Sequence, residues 1–166
     1  MTRKDYDDLL VKWLKSAHAL ESTLASMLEE QAERASSFPE IKSRLQGHRE
    51  ESLRHANMVE SCITDLGGDV SGLRTKVSKI FGDAQSKMLA TYEDTLVRDM
   101  IVGLTSEQME IASYRAIISL AKELGNNGVV DVCENILKDE EKMYDFLEEN
   151  LEDVVVRSYE LDLLTD

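Results

Sequence analysis

The chain has 166 residues, which suits one domain with an ordinary hydrophobic core. Lys and Arg total 19 against 33 Asp and Glu, and the resulting net charge of −14 argues against nucleic-acid binding. The sequence has no run of 18 apolar residues and no N-terminal signal pattern, so it predicts a soluble, cytoplasmic protein that does not bind membranes.

The composition favours an all-α protein. Pro39 is the only proline, long stretches lack glycine, and the hydrophobic fraction of 42% argues against disorder. Cys62 and Cys133 have no paired spacing and fall on apolar stripes. We therefore predict that both are free thiols in the core of a protein from a reducing compartment.

The first predicted helix runs from about Tyr6 to Arg34 and carries one polar residue on its apolar face. Leu20, Leu24 and their neighbours follow 3.6-residue spacing, and Glu21 interrupts this inner face. A carboxylate on a core face is costly unless it is paired. Glu21 therefore becomes a candidate functional residue.

The second predicted helix spans about 39–66 and ends at a Gly-Gly pair, which is typical of a helix C-terminus. Its apolar stripe becomes polar in the middle, at His48 and His55, and Glu51 shares that side of the helix. A lone histidine on such a face is usually a hydrogen-bonded core residue. Two histidines and a glutamate within two turns are equally compatible with metal ligation.

The pattern weakens over 69–94, which we interpret as a crossover connection that carries the chain from one end of a bundle to the other. The third predicted helix runs from about Leu96 to Leu124. Glu107 interrupts its apolar stripe, and Glu110 follows one turn later as a weaker candidate.

The fourth predicted helix covers 129–147 and continues to about Asn150. Glu140 stands where the apolar pattern requires Leu or Ile. Residues 151–166 have no clear period, so we predict a bundle domain over 1–150 followed by a C-terminal tail. This tail is expected to pack on the bundle, to mediate self-association or to be mobile.

Each predicted helix thus places an acidic residue near mid-length of an apolar face. Antiparallel stacking with a crossover would bring a set of residues to one level of the core: Glu21, Glu51, His55, Glu107 and Glu140. Carboxylates with imidazole suit iron, manganese or zinc. Without a cation such a cluster would be strongly destabilised, so the set is metal-bound, partly protonated, or displaced to the surface.

Three segments resemble the YciE/YciF family of ferritin-like proteins: 48–60 (HREESLRHANMVE), 107–114 (EQMEIASY) and 139–142 (DEEK). The resemblance implies a ferritin-like four-helix bundle with a long crossover between helices 2 and 3, in a cytoplasmic and often dimeric protein. It also implies site residues: Glu21 matches the acid of helix 1, His55 a metal-ligating histidine of helix 2, Glu107 the acid of helix 3 and Glu140 the first acid of helix 4.

Two positions depart from the Glu-x-x-His pattern of ferritin-like di-iron sites. Ser52 stands three residues before His55, where Glu51 could substitute, and Met143 stands three residues after Glu140. The first hypothesis is a bundle that binds one or two divalent metal ions, with iron favoured over manganese or zinc. Glu21 and Glu140 would be terminal ligands and Glu107 a bridge, and any enzymatic activity would be of the di-metal oxidase or ferroxidase type.

The second hypothesis is a metal-free ferritin-like bundle that acts as a structural or stress-related interaction protein. It rests on the departures at Ser52 and Met143 together.

Overall fold

The computed structural model describes residues 2–71 and 95–163, which form four long helices. These are α1 (Arg3–Arg34), α2 (Pro39–Asp65), α3 (Thr95–Leu124) and α4 (Asn127–Leu163). A 3-10 turn, Ala35–Ser37, joins α1 to α2, and no strand occurs within the described ranges. The predicted all-α class is confirmed, and the first three helices lie close to their predicted bounds.

The ends of the helices follow from local sequence. Thr2 and Asp5 form a capping box at the start of α1, and Pro39 occupies the first turn of α2, where its missing N–H is not needed. Gly67 and Gly125 have φ of 72° and 71° just after α2 and α3. Residues with side chains rarely adopt this left-handed conformation, so glycine lets both helices stop sharply.

Contacts at the helix ends set the directions of the helices. Arg34 at the end of α1 binds Asp99 near the start of α3, so α1 and α3 are antiparallel. Arg157 near the end of α4 binds Glu40 at the start of α2, so α2 and α4 are also antiparallel. Consequently α2 ends at one end of the bundle and α3 begins at the other. Apart from its first residues, 69–71, the predicted crossover lies outside the described residues.

The last helix is longer than the sequence predicted. Instead of ending near Asn150, α4 continues to Leu163. Val154 is fully buried, and the guanidinium of Arg157 lies 4.5 Å from the ring centre of Phe38. These contacts hold only one side of the extension while Val155 and Val156 stay exposed, so its apolar period is weak in the sequence.

The core has two apolar clusters with a polar layer between them. One cluster is built around Leu10, Leu14, Ile63, Ile117, Cys133 and Ile136. The other is built around Leu28, Ile41, Leu45, Met100, Met143 and Leu147. Cys62 and Cys133 are buried and free, as predicted. Buried acids and histidines are concentrated in the layer between the clusters, and this layer is the candidate site.

Candidate metal centre

The polar layer contains two groups of buried donor atoms that meet at Glu140. The first group, called site 1 below, consists of Glu21, His55 and Glu140. The second group, site 2, consists of His48, Glu107 and Glu140. Within each group, one ligand atom per residue lies within 4.8 Å of the others. No donor side chain in either group is more than 3% exposed.

Site 1 joins α1, α2 and α4. His55 Nδ1 lies 2.8 Å from Glu140 Oε1 and 3.5 Å from Glu21 Oε1. The buried Tyr114 hydroxyl on α3 donates a hydrogen bond of 2.6 Å to Glu21 Oε1. This bond fixes the carboxylate of Glu21 toward the histidine.

Site 2 joins α2, α3 and α4. His48 Nε2 lies 3.2 Å from Glu107 Oε1 and 3.4 Å from Glu140 Oε2. Glu140 therefore turns Oε1 toward site 1 and Oε2 toward site 2. Each oxygen faces a different histidine, so the residue shared by the two groups is Glu140, whereas Glu107, predicted as a bridge, belongs to site 2 only.

The outward-facing nitrogen of each histidine contacts a carboxylate at the rim of the layer. His55 Nε2 lies 3.3 Å from Asp139 Oδ2, and His48 Nδ1 lies 3.0 Å from Glu51 Oε2. Metal-ligating histidines commonly donate their second N–H to such a carboxylate, which fixes the ring and the tautomer. Both inner nitrogens are thereby directed toward the acids of the core.

Several acidic oxygens in the layer have no hydrogen-bond partner. They include Glu21 Oε2, Glu107 Oε2 and both carboxylate oxygens of Glu110, which is 1% exposed. A buried polar atom without a partner costs about 1–3 kcal/mol, and more when it is charged. Cations coordinated by these oxygens would remove that cost. The donor set therefore fits divalent metal ions.

Burial and proximity perturb the pKa values of the acids in opposite directions. Burial raises the pKa of Glu107 to about 7 and that of Glu110 well above its ordinary range. Burial acts in the same sense on Glu21 and raises its pKa, against hydrogen bonds from His55 and Tyr114. For Glu140 burial is outweighed by the two histidines, which lower its pKa to about 2.

The two histidines favour their charged forms when no metal is present. Burial opposes the charge on His55, but hydrogen bonds to Glu140 and Glu21 dominate and raise its pKa to about 10. In the same way, contacts with Glu107 and Glu140 outweigh burial and raise the pKa of His48 well above its ordinary value. The metal-free site thus stores protons that a bound cation would displace.

Four of the five residues predicted from the sequence meet in the layer: Glu21, His55, Glu107 and Glu140. Glu51 lies outside both groups. Its side chain is 26% exposed and accepts a hydrogen bond of 2.9 Å from Arg44 Nη1, beside its contact with His48. Glu51 thus lies at the flank of α2, where its carboxylate meets the outer nitrogen of His48 and not the acids of the core.

The predicted set left out His48 and Glu110. His48 belongs to the inner stripe of α2, and its place with His55 in the polar middle of that stripe was the available signal. Glu110 lies three residues after Glu107 on α3, and Glu21, Glu140 and Glu107 all act on its carboxyl group. Glu110 was only a weaker candidate from the sequence, because it lies off the best apolar stripe of α3.

Residues 5–160 match the family described as "Domain of unknown function (DUF892)". The chain belongs to the DUF892 family. A crystal structure of a protein from Xanthomonas campestris pv. campestris is similar, with 30% sequence identity and a TM-score of 0.81. The alignment covers 95% of this chain and 99% of the Xanthomonas chain.

Two bacterioferritins share the fold of this DUF892 protein. The Desulfovibrio desulfuricans bacterioferritin, whose diiron site was studied in different catalytic states, has 16% identity and a TM-score of 0.74 over 93% of this chain and 84% of its own. The Mycobacterium tuberculosis bacterioferritin has 20% identity and a TM-score of 0.70, and the alignment covers 86% of this chain and 84% of the bacterioferritin. These likenesses confirm the predicted ferritin-like four-helix bundle. Among the described helices of the DUF892 protein, none has the length and apolar character needed to cross a membrane.

Proposed function

We propose that this DUF892 protein binds two divalent metal ions in its core, one in site 1 and one in site 2, with Glu140 as the bridge. One observation carries the proposal. Two buried histidines turn one nitrogen each toward a set of buried carboxylates whose free oxygens have no partner. Each histidine has its other nitrogen on a rim carboxylate, which is the usual support for a metal-ligating imidazole.

The charges of the layer balance for two divalent ions. The buried acids are Glu21, Glu107, Glu110 and Glu140, which carry four negative charges when ionised. Two divalent cations with neutral histidines would neutralise them. Without metal, the same layer must retain protons on its histidines and on part of its acids. Glu110 belongs to neither group of donor atoms, but its carboxyl group is buried and is influenced electrostatically by Glu21, Glu140 and Glu107.

The donor chemistry narrows the choice of metal. Oxygen with imidazole nitrogen suits iron, manganese and zinc, and a diiron site in a bacterioferritin of the same fold favours iron. Bound iron would supply redox chemistry with dioxygen or peroxide, and the enzyme class would then be a di-metal oxidase. The chain's own contribution is to hold Glu21 through Tyr114 and to exclude water with the apolar clusters on both sides.

The test is the metal content of protein purified without chelator, followed by anaerobic titration of chelator-treated protein with Fe²⁺. The expected result is two ions per chain, by inductively coupled plasma mass spectrometry and by the titration endpoint. A chain that holds no metal and takes up no Fe²⁺, Mn²⁺ or Zn²⁺ would overturn the proposal.

A second candidate function is a metal-free structural bundle. The observation that favours it is the direct contact of 2.8 Å between His55 Nδ1 and Glu140 Oε1, because a charged histidine can itself neutralise the acid. Ser52 and Met143 are fully buried at the positions where the ferritin-like pattern has Glu and His. In this case a chelator would leave the melting temperature of the purified protein unchanged.

Within DUF892, we propose that the chain belongs with the YciE/YciF proteins and acts as a cytoplasmic homodimer with a stress-related role. The support is the resemblance of 48–60, 107–114 and 139–142 to that group. Light scattering coupled to size-exclusion chromatography would test the dimer, since a single chain has a mass of 18.8 kDa. A monomer at micromolar concentration would remove the homodimer from the proposal.

A further inference from the structure

We propose that Glu51 positions His48 for site 2 without being a metal ligand itself. The inference rests on the proposed two-metal function and names the residue that makes its second site usable. Glu51 lies three residues after His48 on α2, and its Oε2 atom is 3.0 Å from His48 Nδ1. His48 is 1% exposed, whereas Glu51 is 26% exposed, so the acid stands between the buried ring and the surface.

A third residue holds Glu51 in place. Arg44 Nη1 donates a hydrogen bond of 2.9 Å to the same Oε2 atom that contacts His48. Arg44 and Glu51 are both on α2, seven residues apart, so the arrangement Arg44–Glu51–His48 belongs to a single helix.

The contact decides which nitrogen His48 offers to a cation. When Nδ1–H donates to Glu51, the neutral ring carries its lone pair on Nε2. His48 Nε2 is the atom that faces Glu107 Oε1 and Glu140 Oε2. Glu51 therefore selects the tautomer that site 2 requires. It also restrains rotation of the ring about its χ angles.

Site 2 needs this support because α4 provides no histidine for it. Met143 lies one turn after Glu140 and is fully buried, but a thioether is a poor ligand for hard divalent ions. Within the described part of the chain, His48 is the one imidazole grouped with Glu107 and Glu140. The nitrogen ligand of site 2 therefore comes from α2, and its orientation comes from Glu51.

In site 1 the histidine faces the core with Nδ1, whereas His48 in site 2 does so with Nε2. His55 turns Nδ1 inward and contacts Asp139 through Nε2, so its supporting acid lies on α4 instead of on its own helix. The two histidines thus present opposite nitrogens to the two sites. A supporting carboxylate is present in each case, which agrees with a positioning role for Glu51.

The experiment compares Glu51→Ala and Glu51→Gln with Glu50→Ala as the matched control. Glu50 is 67% exposed and pairs with Arg49, away from His48. Chelator-treated protein is titrated with Co²⁺ and followed by its visible absorption, while circular dichroism and the melting temperature report on folding. In Glu51→Ala we expect the first ion to bind as in wild type and the second about 10–100-fold more weakly. Glu51→Gln keeps an oxygen that accepts a hydrogen bond from Nδ1–H, so this variant should retain most of the wild-type affinity for the second ion.

A second readout follows the His48 ring itself. At a Zn²⁺ concentration that just saturates the wild type, long-range ¹H–¹⁵N spectra should show His48 bound through Nε2 with its proton on Nδ1 in the wild type and in Glu51→Gln, and a largely unbound His48 ring in Glu51→Ala. If Glu51→Gln loses the second ion as completely as Glu51→Ala, Glu51 is a ligand and the inference is overturned. Equal titrations of Glu51→Ala and wild type also overturn it but leave the two-metal function intact. A wild type that binds no Co²⁺ overturns the two-metal function itself.

Discussion

Site 1 and site 2 share Glu140 but are supported in different ways. In site 1, the rim acid of His55 is Asp139 on another helix, and a tyrosine from α3 holds Glu21. In site 2, the rim acid of His48 lies on the same helix, three residues away. In site 1 the supports of both Glu21 and His55 therefore come from other helices, whereas in site 2 the histidine is supported by an acid of its own helix. The comparison teaches that a centre with two similar halves need not respond equally to mutation.

Loss of the shared residue should have the largest effect. Glu140→Ala removes the bridge and leaves both histidines without their common acid, so we expect loss of both metal ions. Glu141→Ala is the matched control, because the Glu141 side chain is 43% exposed and pairs with Arg115. Metal content by mass spectrometry checks the outcome. Retention of one full equivalent in Glu140→Ala would show that the two sites do not share a ligand.

Single histidine variants should separate the two halves. His55→Ala should lose the ion of site 1 and keep that of site 2, and His48→Ala should do the reverse, since each histidine belongs to one group. Anaerobic Co²⁺ titration of both variants measures the stoichiometry. If either variant loses both ions, the two sites are strongly coupled through Glu140 and the comparison between them fails.

Metal removal should lower stability substantially. An ion that binds the folded chain but not the unfolded one contributes about 2.7 kcal/mol at a free concentration 100 times its dissociation constant. We therefore expect the melting temperature to fall when the protein is treated with a chelator and to recover when Fe²⁺ or Zn²⁺ is restored. The His48→Ala and His55→Ala variants should each show a smaller fall than the wild type, because each retains one site.

The pH dependence of the metal-free protein should identify the buried protons. Burial raises the pKa of Glu107 from 4.5 to about 7. Contacts with Glu140 and Glu21 overcome burial and raise that of His55 from 6.5 to about 10. The folded state then holds protons that the unfolded state has released. The stabilisation from each group is therefore complete below its pKa in the unfolded chain, which is 4.5 for Glu107 and 6.5 for His55. It is lost as the pH rises through the folded-state pKa, about 7 for Glu107 and about 10 for His55.

At low pH the dependence is opposite: stability falls as the pH falls. Glu140 and Glu51 have pKa values lowered to about 2, so their contribution is present above about 4.5 and is lost as the pH falls toward 2. Urea unfolding of chelator-treated protein should therefore show a maximum between these regions, at mildly acidic pH. Metal-loaded protein should show the opposite trend on the alkaline side, because metal binding competes with protons. Stability that rises from pH 6 to pH 9 without metal would contradict this proton assignment.

The smallest expected effect concerns the tyrosine of site 1. Tyr114→Phe removes the hydroxyl that donates to Glu21 Oε1 and leaves the ring in place. The free energy of unfolding should therefore fall by about 1 kcal/mol. The affinity of site 1 for Co²⁺ should fall by less than about tenfold, with site 2 unchanged. Tyr144→Phe is the control, since Tyr144 bonds to the exposed Glu148. An equal loss at both sites would mean that Tyr114 acts on the whole bundle and not on Glu21.

Most of the fold could be predicted from the pattern of apolar residues. The bounds of the first three helices follow from their stripes and from end signals such as Pro39, Gly67 and Gly125. The end of α4 could not be predicted. Beyond Asn150 it packs on one side only, through Val154 and Arg157, and half of a stripe leaves little periodic signal.

The site was predictable only in part. An acid on an apolar stripe stands out, which is why Glu21, Glu107 and Glu140 could be found, and each does lie in the layer. A side chain on the flank of a stripe has no such signature. Glu51 was therefore assigned to the centre although it contacts Arg44 and the outer nitrogen of His48.

The sequence by itself determined the helical class, the four-helix arrangement and the level of the core at which acids and histidines meet, because these depend on residue spacing along single helices. Tertiary structure alone decided that Glu140 faces both groups and that His48 and His55 present opposite nitrogens to the acids of the core. The physical reason is that spacing sets the face on which a residue lies, whereas the atom that it offers depends on side chains from other helices.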